Sequence, residues 1–354
     1  MTRTLGSRIV TGAAIAAITL ILLTGCPLRP ASNVQTPPAK KRVGERKATF
    51  IATGDMMLSR GVSAAMDRAG TPDLPFRSLA ELLASSDFNF ANLECPISGN
   101  DRIRGKGLVF NARTDQASVI KKFNFKLVNL ANNHAMDQRA DGLRFTQKYL
   151  DELGVAHVGV GGSGREWEPQ VVEANGVRIA FIGASYATLN DNGATRPSDL
   201  VARIEDRDRL AAAVKKAQSI SDLVVVTMHA GVEYTRKPHQ PQVDFAHAAI
   251  DAGADIVIGA HPHWIQTTES YRDRPIFYSL GNFIFDQRDT ETKKGLVLRV
   301  STVLTETADR AAIDQIELIP IMIDGVTPRR ANTAETASIL KNIGLDNSIM
   351  KGRP

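Results

Sequence analysis

Side chains that bind metals or move protons stand at the end of one apolar, β-branched run after another. Asp55 follows Gly54, Glu94 follows Leu93, and Asn132, Asn133 and His134 come just after Leu130. His229 follows Met228, and His261 and His263 come just after Gly259. A lone acid in such a place caps a loop, and a lone histidine is commonly a satisfied core group. In open α/β sheets, however, ligands collect outside the carboxyl ends of the strands, so side chains far apart in sequence can share one site. Asp55, Glu94, Asn133, His229, His261 and His263 combine carboxylates, an amide oxygen and imidazoles without sulfur. That donor mixture suits one or two divalent transition-metal ions, manganese, iron or zinc. Two ions about 3.5–4 Å apart activate a water and stabilise both the attacking and the leaving oxygen of a displacement at phosphorus. His134, beside them, is placed to protonate the leaving group.

The elements that must position these residues are strands separated by amphipathic helical stretches, the pattern of βα units on a sheet buried on both faces. The predicted strands are Thr49–Gly54, Asp87–Leu93, Lys126–Leu130, Val177–Ala184, Leu223–Met228, Asp255–Gly259 and Ile276–Ser279. Predicted helices cover Ala140–Leu153 before Gly154, Arg203–Ala217, and Val243–Ala252 before Gly253. Leu296–Ser301 and Ile313–Ile321 read as a hairpin closing a sheet edge, and Thr333–Ile343 as a last helix. Gly159, Gly161, Gly162 and Gly164 form a glycine-rich turn of the kind whose amides can cradle an anion. His157, His239 and His247 are read as structural or surface groups.

Six strings appear in a fixed order: GDMML at Gly54–Leu58, NLE at Asn92–Glu94, ANNHAMD at Ala131–Asp137, HAGVEY at His229–Tyr234, GAHPHWIQ at Gly259–Gln266 and YSLGNFIFD at Tyr278–Asp286. Together they resemble the CapA-like branch of the calcineurin-like metallophosphoesterases. The resemblance implies an α/β, metallophosphoesterase-like sandwich of two mixed β-sheets flanked by helices. It also implies ligand roles: Asp55 and His263 for a first metal, Glu94 bridging, and Asn133, His229 and His261 for a second, with His134 as catalytic acid. Asn132, Tyr278 and Asn282 are expected to pack behind the histidine loops. The superfamily's usual Asp-x-His is here Asp55, Met56, Met57, so the first metal lacks one imidazole. Glu233 is a candidate to fill the gap as ligand or to act as a base. The implied role is synthesis, export or processing of a poly-γ-glutamate-type polymer, with an anionic polymer or a phosphoester as substrate and a capsule synthesis complex as partner. Two readings stand: a metal-dependent hydrolase, or a non-catalytic component that holds the growing chain.

The first residues bear on the compartment. Arg3 and Arg8 precede an apolar run from Ile9 to Leu23, about 15 residues and shorter than a spanning helix needs. The run ends in Leu23, Thr24, Gly25 and Cys26, which resembles a bacterial lipobox. Residues 1–25 are therefore expected to be a lipoprotein signal peptide, with Cys26 lipidated and the body extracytoplasmic, tethered to a membrane of the cell envelope. Residues 26–47, rich in proline and base, read as the tether, and residues 48–354 as the metallophosphoesterase-like domain. Cys95 then has no intramolecular thiol partner and reads as a buried structural thiol. The net charge of +5 is too mild to point to nucleic acid.

Overall fold

The strand that carries Asp55 is buried along both faces. In β1 (Arg46–Met56) every residue from Phe50 to Met56 is buried. Ile51 joins one apolar cluster, while Phe50 and Ala52 join another on the opposite face, as the two-residue period of a strand dictates. The computed structural model describes residues 44–100, 108–186 and 199–344. The expected signal, the lipidated Cys26 and most of the tether lie outside the described residues. β1 starts at Arg46, so the last two residues of the segment read as tether, Arg46 and Lys47, belong to the sheet.

In chain order the next strands are β2 (Phe88–Leu93), β3 (Phe125–Asn129), β4 (Ala156–Val158), β5 (Gln170–Ala174), β6 (Val177–Ser185) and β7 (Leu223–His229). β8 (Ile256–Ala260), β9 (Thr268–Tyr271), β10 (Arg274–Phe277) and β11 (Asn282–Ile284) follow. β12 (Lys294–Leu304), β13 (Ala312–Asp324) and β14 (Thr327–Arg330) complete them. One sheet runs β14-β13-β12-β1-β2-β3-β4, with β11 also paired to β1; the other runs β5-β6-β7-β8-β10-β9. Both are mixed: β1, β2, β3 and β4 are parallel neighbours, as are β6, β7 and β8, whereas β12 pairs antiparallel with β1 and β5 antiparallel with β6.

Phenylalanines lock the sheets together. Phe50 of β1 and Phe88 of β2 stack at 5.4 Å between ring centroids, and Phe181 of β6 meets Phe50 edge-on at 5.7 Å and stacks on Phe90 at 5.2 Å. Such pairs contribute about 0.5–1.5 kcal/mol each beyond the area they bury. Helices cover the outer faces. Arg60–Ala69 and Arg139–Leu153 bury Val62, Met66, Leu143 and Leu150 against the first sheet. Arg207–Ile220 and Gln240–Ala252 bury Leu210, Val214, Phe245 and Ala249 against the second. The expected sandwich of two mixed sheets flanked by helices is borne out.

Three local readings change. The hairpin β12–β13 extends the first sheet, but its edge is β14, which pairs with β13. The helix expected from Arg203 starts at Arg207, because Arg203 bridges to Ser185 and Ile204 donates its N–H to the Ser185 carbonyl. Two amides of the glycine-rich turn are spent within the protein: Gly161 donates to the Leu200 carbonyl and Gly164 to Glu166. Among the described residues no helix is long and apolar enough to cross a membrane.

Candidate metal centre

β1, β2, β3, β7 and β8 release Asp55, Glu94, the Asn132–His134 loop, His229 and the His261–His263 turn to one place. Two glycines permit the backbone approaches this needs. A Cβ on Gly54 would lie 1.8 Å from the Gly281 carbonyl oxygen, and one on Gly259 would lie 2.0 Å from that of Tyr278. The first approach sets Asp55 opposite Asn282 in register, and the second lets β8 lead straight into the histidine turn. His261 (φ 100°) and His263 (φ 56°) both occupy the left-handed region that side chains rarely adopt. Asp55 Oδ2 helps hold the turn there by accepting the His261 N–H at 3.2 Å.

Ligating atoms of Asp55, Glu94 and His229 all lie within 4.8 Å of one another. Glu94 is wholly buried, with Oε1 3.8 Å from His134 Nε2 and 3.9 Å from the Nε2 atoms of His229 and His263. Among the described residues no hydrogen-bond donor meets either carboxylate oxygen of Glu94. An acid left bare in the interior is costly, and one ringed by imidazole nitrogens is the arrangement a divalent cation relieves. The residues therefore fit a metal. Around Glu94 they sort into two groups. In one, His229 Nε2 is 2.8 Å from Asn133 Oδ1 and 3.1 Å from His261 Nδ1. In the other, His263 Nδ1 stands 3.5 Å from Asp55 Oδ2 and 2.9 Å from Asn282 Oδ1.

Burial and crowding set the charge states. Burial, then the facing Asp55 carboxylate, pushes Glu94 well above the usual carboxylate range. Burial, then the neighbouring imidazoles His261 and His263, holds His229 well below the ordinary histidine value. His261 is pulled down to about 3 by burial first and by His263 and His134 next. Burial also pulls on His263, but its hydrogen bond to Asp55 and the charge of that carboxylate outweigh it and leave the group raised. Neutral imidazoles beside acids are the form in which histidine binds metals.

The surrounding shell is built of amides. Asn282 accepts from His263 Nδ1 and anchors its own Nδ2 on the Thr292 carbonyl at 2.8 Å, so His263 turns Nε2 toward Glu94. Asn132 donates to the Leu93 carbonyl at 2.9 Å and accepts the His134 N–H at 3.1 Å, tying that loop to the end of β2. Tyr278 does not join this shell through its side chain. Its hydroxyl donates to Glu269 and its ring lies in the outer core of the second sheet; its carbonyl packs against Gly259, two residues before the histidine turn. Glu233 lines a cavity beside His261 and is near enough for its charge to raise Glu94 and His263. Met57, at the position of the absent imidazole, is buried with its sulfur accepting from the Ser59 N–H and hydroxyl.

Residues that the strand-end pattern passed over also matter. Asn92, two positions before Glu94 and so on the same face of β2, donates to Asp55 Oδ1 at 2.8 Å and stands 3.0 Å from His229 Nδ1. Asn129 donates to Asn92 Oδ1 at 2.9 Å, which fixes the orientation of that amide. Asp137 holds His134 Nδ1 at 2.7 Å, and Phe110 stacks on the His134 ring at 3.8 Å. The i, i+3 spacing inside ANNHAMD carried the Asp137 signal; nothing local marked Phe110. His157 faces Asp151 at 3.2 Å, His239 starts the helix Gln240–Ala252, and His247 pairs with Glu269 at 2.9 Å.

The bacterial capsule synthesis protein family PGA_cap matches residues 49–287. Over 308 residues the chain is 34% identical to the capsule biosynthesis protein CapA of Bacillus anthracis, covering 84% of this chain and 72% of that protein. Over 327 residues it is 29% identical to the PGA biosynthesis protein CapA of Bacillus subtilis strain 168, covering 90% and 83%. A solved phosphatase structure from Mycoplasma pneumoniae superposes with a TM-score of 0.49 at 13% identity, over 82% of this chain and 96% of that one.

Proposed function

The chain belongs to the bacterial capsule synthesis protein family PGA_cap, and on that premise we propose that it is a metal-dependent hydrolase of the cell envelope that acts on a poly-γ-glutamate-type polymer during capsule synthesis. The observation that carries this reading is Glu94, buried with both oxygens bare beneath the Nε2 atoms of His134, His229 and His263. Asn133, His229 and His261 would hold one ion, Asp55 and His263 another, and Glu94 both. A bound divalent metal supplies Lewis acidity and lowers the pKa of water toward neutrality.

The protein's own groups do the rest. Asp55 and Asn282 orient His263, and Asn92 and Asn133 orient His229. His134, with Nδ1 committed to Asp137, presents Nε2 toward the centre and delivers a proton to the departing group. Glu233, at the cavity wall, is the base candidate. Cys26 carries the lipid that holds the body at the membrane, through the tether of residues 26–45. Capsule synthesis supplies the polymer and the neighbouring proteins as partners; nucleic acid has no place in this reading.

A second reading has one observation in its favour. With Met57 turned to Ser59 rather than the centre, the first ion lacks a ligand, and a single tight ion would suit a component that holds the chain without cutting it. The test uses the full-length protein. Elemental analysis should find manganese, iron or zinc at one to two ions per chain, falling in Glu94→Gln. The loaded protein should shorten poly-γ-glutamate or cleave a nitrophenyl phosphoester. Metal without turnover on either substrate selects the second reading; no metal rejects both.

A further inference from the structure

Two aromatic rings back the histidines of the centre, and one arginine touches both. Phe110 stacks on His134 at 3.8 Å between ring centroids, and Phe285 meets His263 edge-on at 4.9 Å. The Arg60 guanidinium lies 4.7 Å from the centroid of Phe110 and 5.9 Å from that of Phe285. It is therefore one ring contact away from His134 and one from His263. Both phenylalanines are buried, whereas 29% of the Arg60 side chain is exposed. Arg60 stands just past β1 with φ 49°, in the left-handed region that a residue with a side chain keeps only where its surroundings hold it. β11 pairs with β1 and brings Asp286 to the same spot. Asp286 Oδ2 accepts from Arg60 Nε at 3.2 Å and from the Gly61 N–H at 2.9 Å, while Oδ1 accepts from Nη2. A Cβ on Gly61 would stand 2.8 Å from Asp286 Oδ2, so glycine is what admits the carboxylate there. One edge of the guanidinium is thereby committed and its direction fixed. The other edge, Nη1 with the second N–H of Nη2, meets no acceptor among the described residues.

In a γ-glutamyl chain the amide nitrogen and an α-carboxylate share one carbon. Hydrolysis adds the hydroxyl of a water to the γ-carbonyl carbon and breaks the C–N bond, and the nitrogen leaves with a proton from His134. The departing residue therefore carries a carboxylate next to the atom that His134 serves. Arg60, one ring from His134 and partly at the surface, is within reach of it. We propose that Arg60 is the substrate anchor on the leaving-group side, binding the α-carboxylate of the departing γ-glutamyl residue through Nη1 and Nη2, with Asp286 as its positioning residue. Asp286 offsets the guanidinium charge, so recognition lies in directed N–H groups that match a carboxylate rather than in net charge. An α-linked chain places its free carboxylate at the end of a side chain, further from the departing nitrogen, and fits this anchor less well. Arg60 then makes the centre selective for the γ linkage. This inference rests on the polymer reading above.

The test titrates a γ-linked and an α-linked glutamate pentamer, equal in charge, into the full-length metal-loaded protein in the cold, where turnover is slow, and follows the heat of binding. The γ-linked pentamer should bind about 10-fold more tightly. Arg60→Lys keeps the charge but removes the planar fork. It should weaken the γ-linked pentamer about 5- to 10-fold and the α-linked one by about 2-fold or less, with metal content constant. Equal binding of the two pentamers by the parent overturns the anchor and leaves the polymer reading standing. Equal weakening of both in Arg60→Lys, or loss of metal, would make the arginine a support for Phe110 and His134 and overturn the anchor as well. A γ preference that survives Arg60→Lys intact overturns it too. Binding of neither pentamer overturns the anchor and the polymer reading together.

Discussion

His134 Nδ1 lies 2.7 Å from Asp137 Oδ2, and that contact decides which nitrogen of the imidazole faces Glu94. The same carboxylate oxygen accepts the Phe110 N–H, so Asp137 is held from the other side and cannot swing away. The Phe110 ring then presses flat on His134, with the Arg60 guanidinium 4.7 Å above that ring. Nδ1 keeps its hydrogen for Asp137, and Nε2 is turned to the centre.

From this geometry, His134→Ala should keep metal and fold while losing about 10²- to 10⁴-fold in turnover, the usual worth of positioned proton transfer. The loss should be greatest for an amide or alkyl ester and least for a nitrophenolate leaving group, which needs little protonation. Asp137→Asn acts through His134, so it should cost less, about 10-fold, and move the basic limb of the pH–rate profile, where an essential acid loses its proton. Equal losses on both substrate types in His134→Ala would remove it from the acid role.

Ligand removal should separate the centre from the other histidines. His229→Ala and His261→Ala should lose most bound metal by elemental analysis, since each gives a nitrogen to the group around Asn133. Asn282→Ala, which orients His263 without joining the ligand set, should weaken metal binding about 10- to 100-fold. His247→Ala is the control: its imidazole pairs with Glu269 and stacks on Tyr271, and metal content should not change. Unchanged metal in both His229 and His261 variants would sink the convergence of these strand ends.

Much of this centre was legible because each contributing strand ends where its apolar run ends, and parallel neighbours bring their ends together. Asp55, Glu94, Asn133, His229, His261 and His263 all follow that rule. Tyr186 follows it too: Ser185 pairs in register with His229, so the next residue emerges beside the centre, its hydroxyl oxygen 3.3 Å from His261 Nε2. It escaped notice because the end of β6 carries no acid or imidazole. Tyr278 failed for the opposite reason, since a motif match says nothing about which way a residue just past the end of a strand turns its side chain. The division into two sheets was invisible to periodicity. Both sheets are buried on both faces and read as the same apolar runs, and their separation shows in contacts such as Phe50 with Phe181.

The thiols should report both burial and lipidation. Cys95 is buried, accepts the Leu58 N–H at 3.3 Å, and has its thiol pushed up to about 12, by burial first. Native mature protein should therefore take up no maleimide, and denatured protein one per chain, if Cys26 is acylated. Cytoplasmically produced, unlipidated chain should label once when native and twice when denatured. Cys26→Ser should fail to incorporate a fatty-acid probe; label retained with the membrane fraction would refute the lipobox.

The last prediction concerns acid stability at the C-terminal helix, Thr333–Asn342. Arg329 makes paired hydrogen bonds to Glu335 at 2.8 and 2.9 Å, and Glu335 also accepts the Asn332 N–H at 2.8 Å. The Arg329 contact first, and the Asn332 bond next, lower the Glu335 carboxyl to about 2. A carboxyl depressed on folding binds fewer protons in the folded than in the unfolded chain, so its stabilisation is fully present above the ordinary value near 4.5. It is lost as pH falls from there toward 2. Glu335→Gln keeps an oxygen for the Asn332 N–H and removes the charge, which isolates the arginine pair. The melting temperature of the variant should lie below that of the parent at pH 7, and the gap should narrow as pH drops from about 4.5 to 3. The gap should also shrink at high salt, because the pair sits near the surface and is screened there. A gap independent of both pH and salt would show that the carboxylate contributes through packing or capping, not through its charge on Arg329.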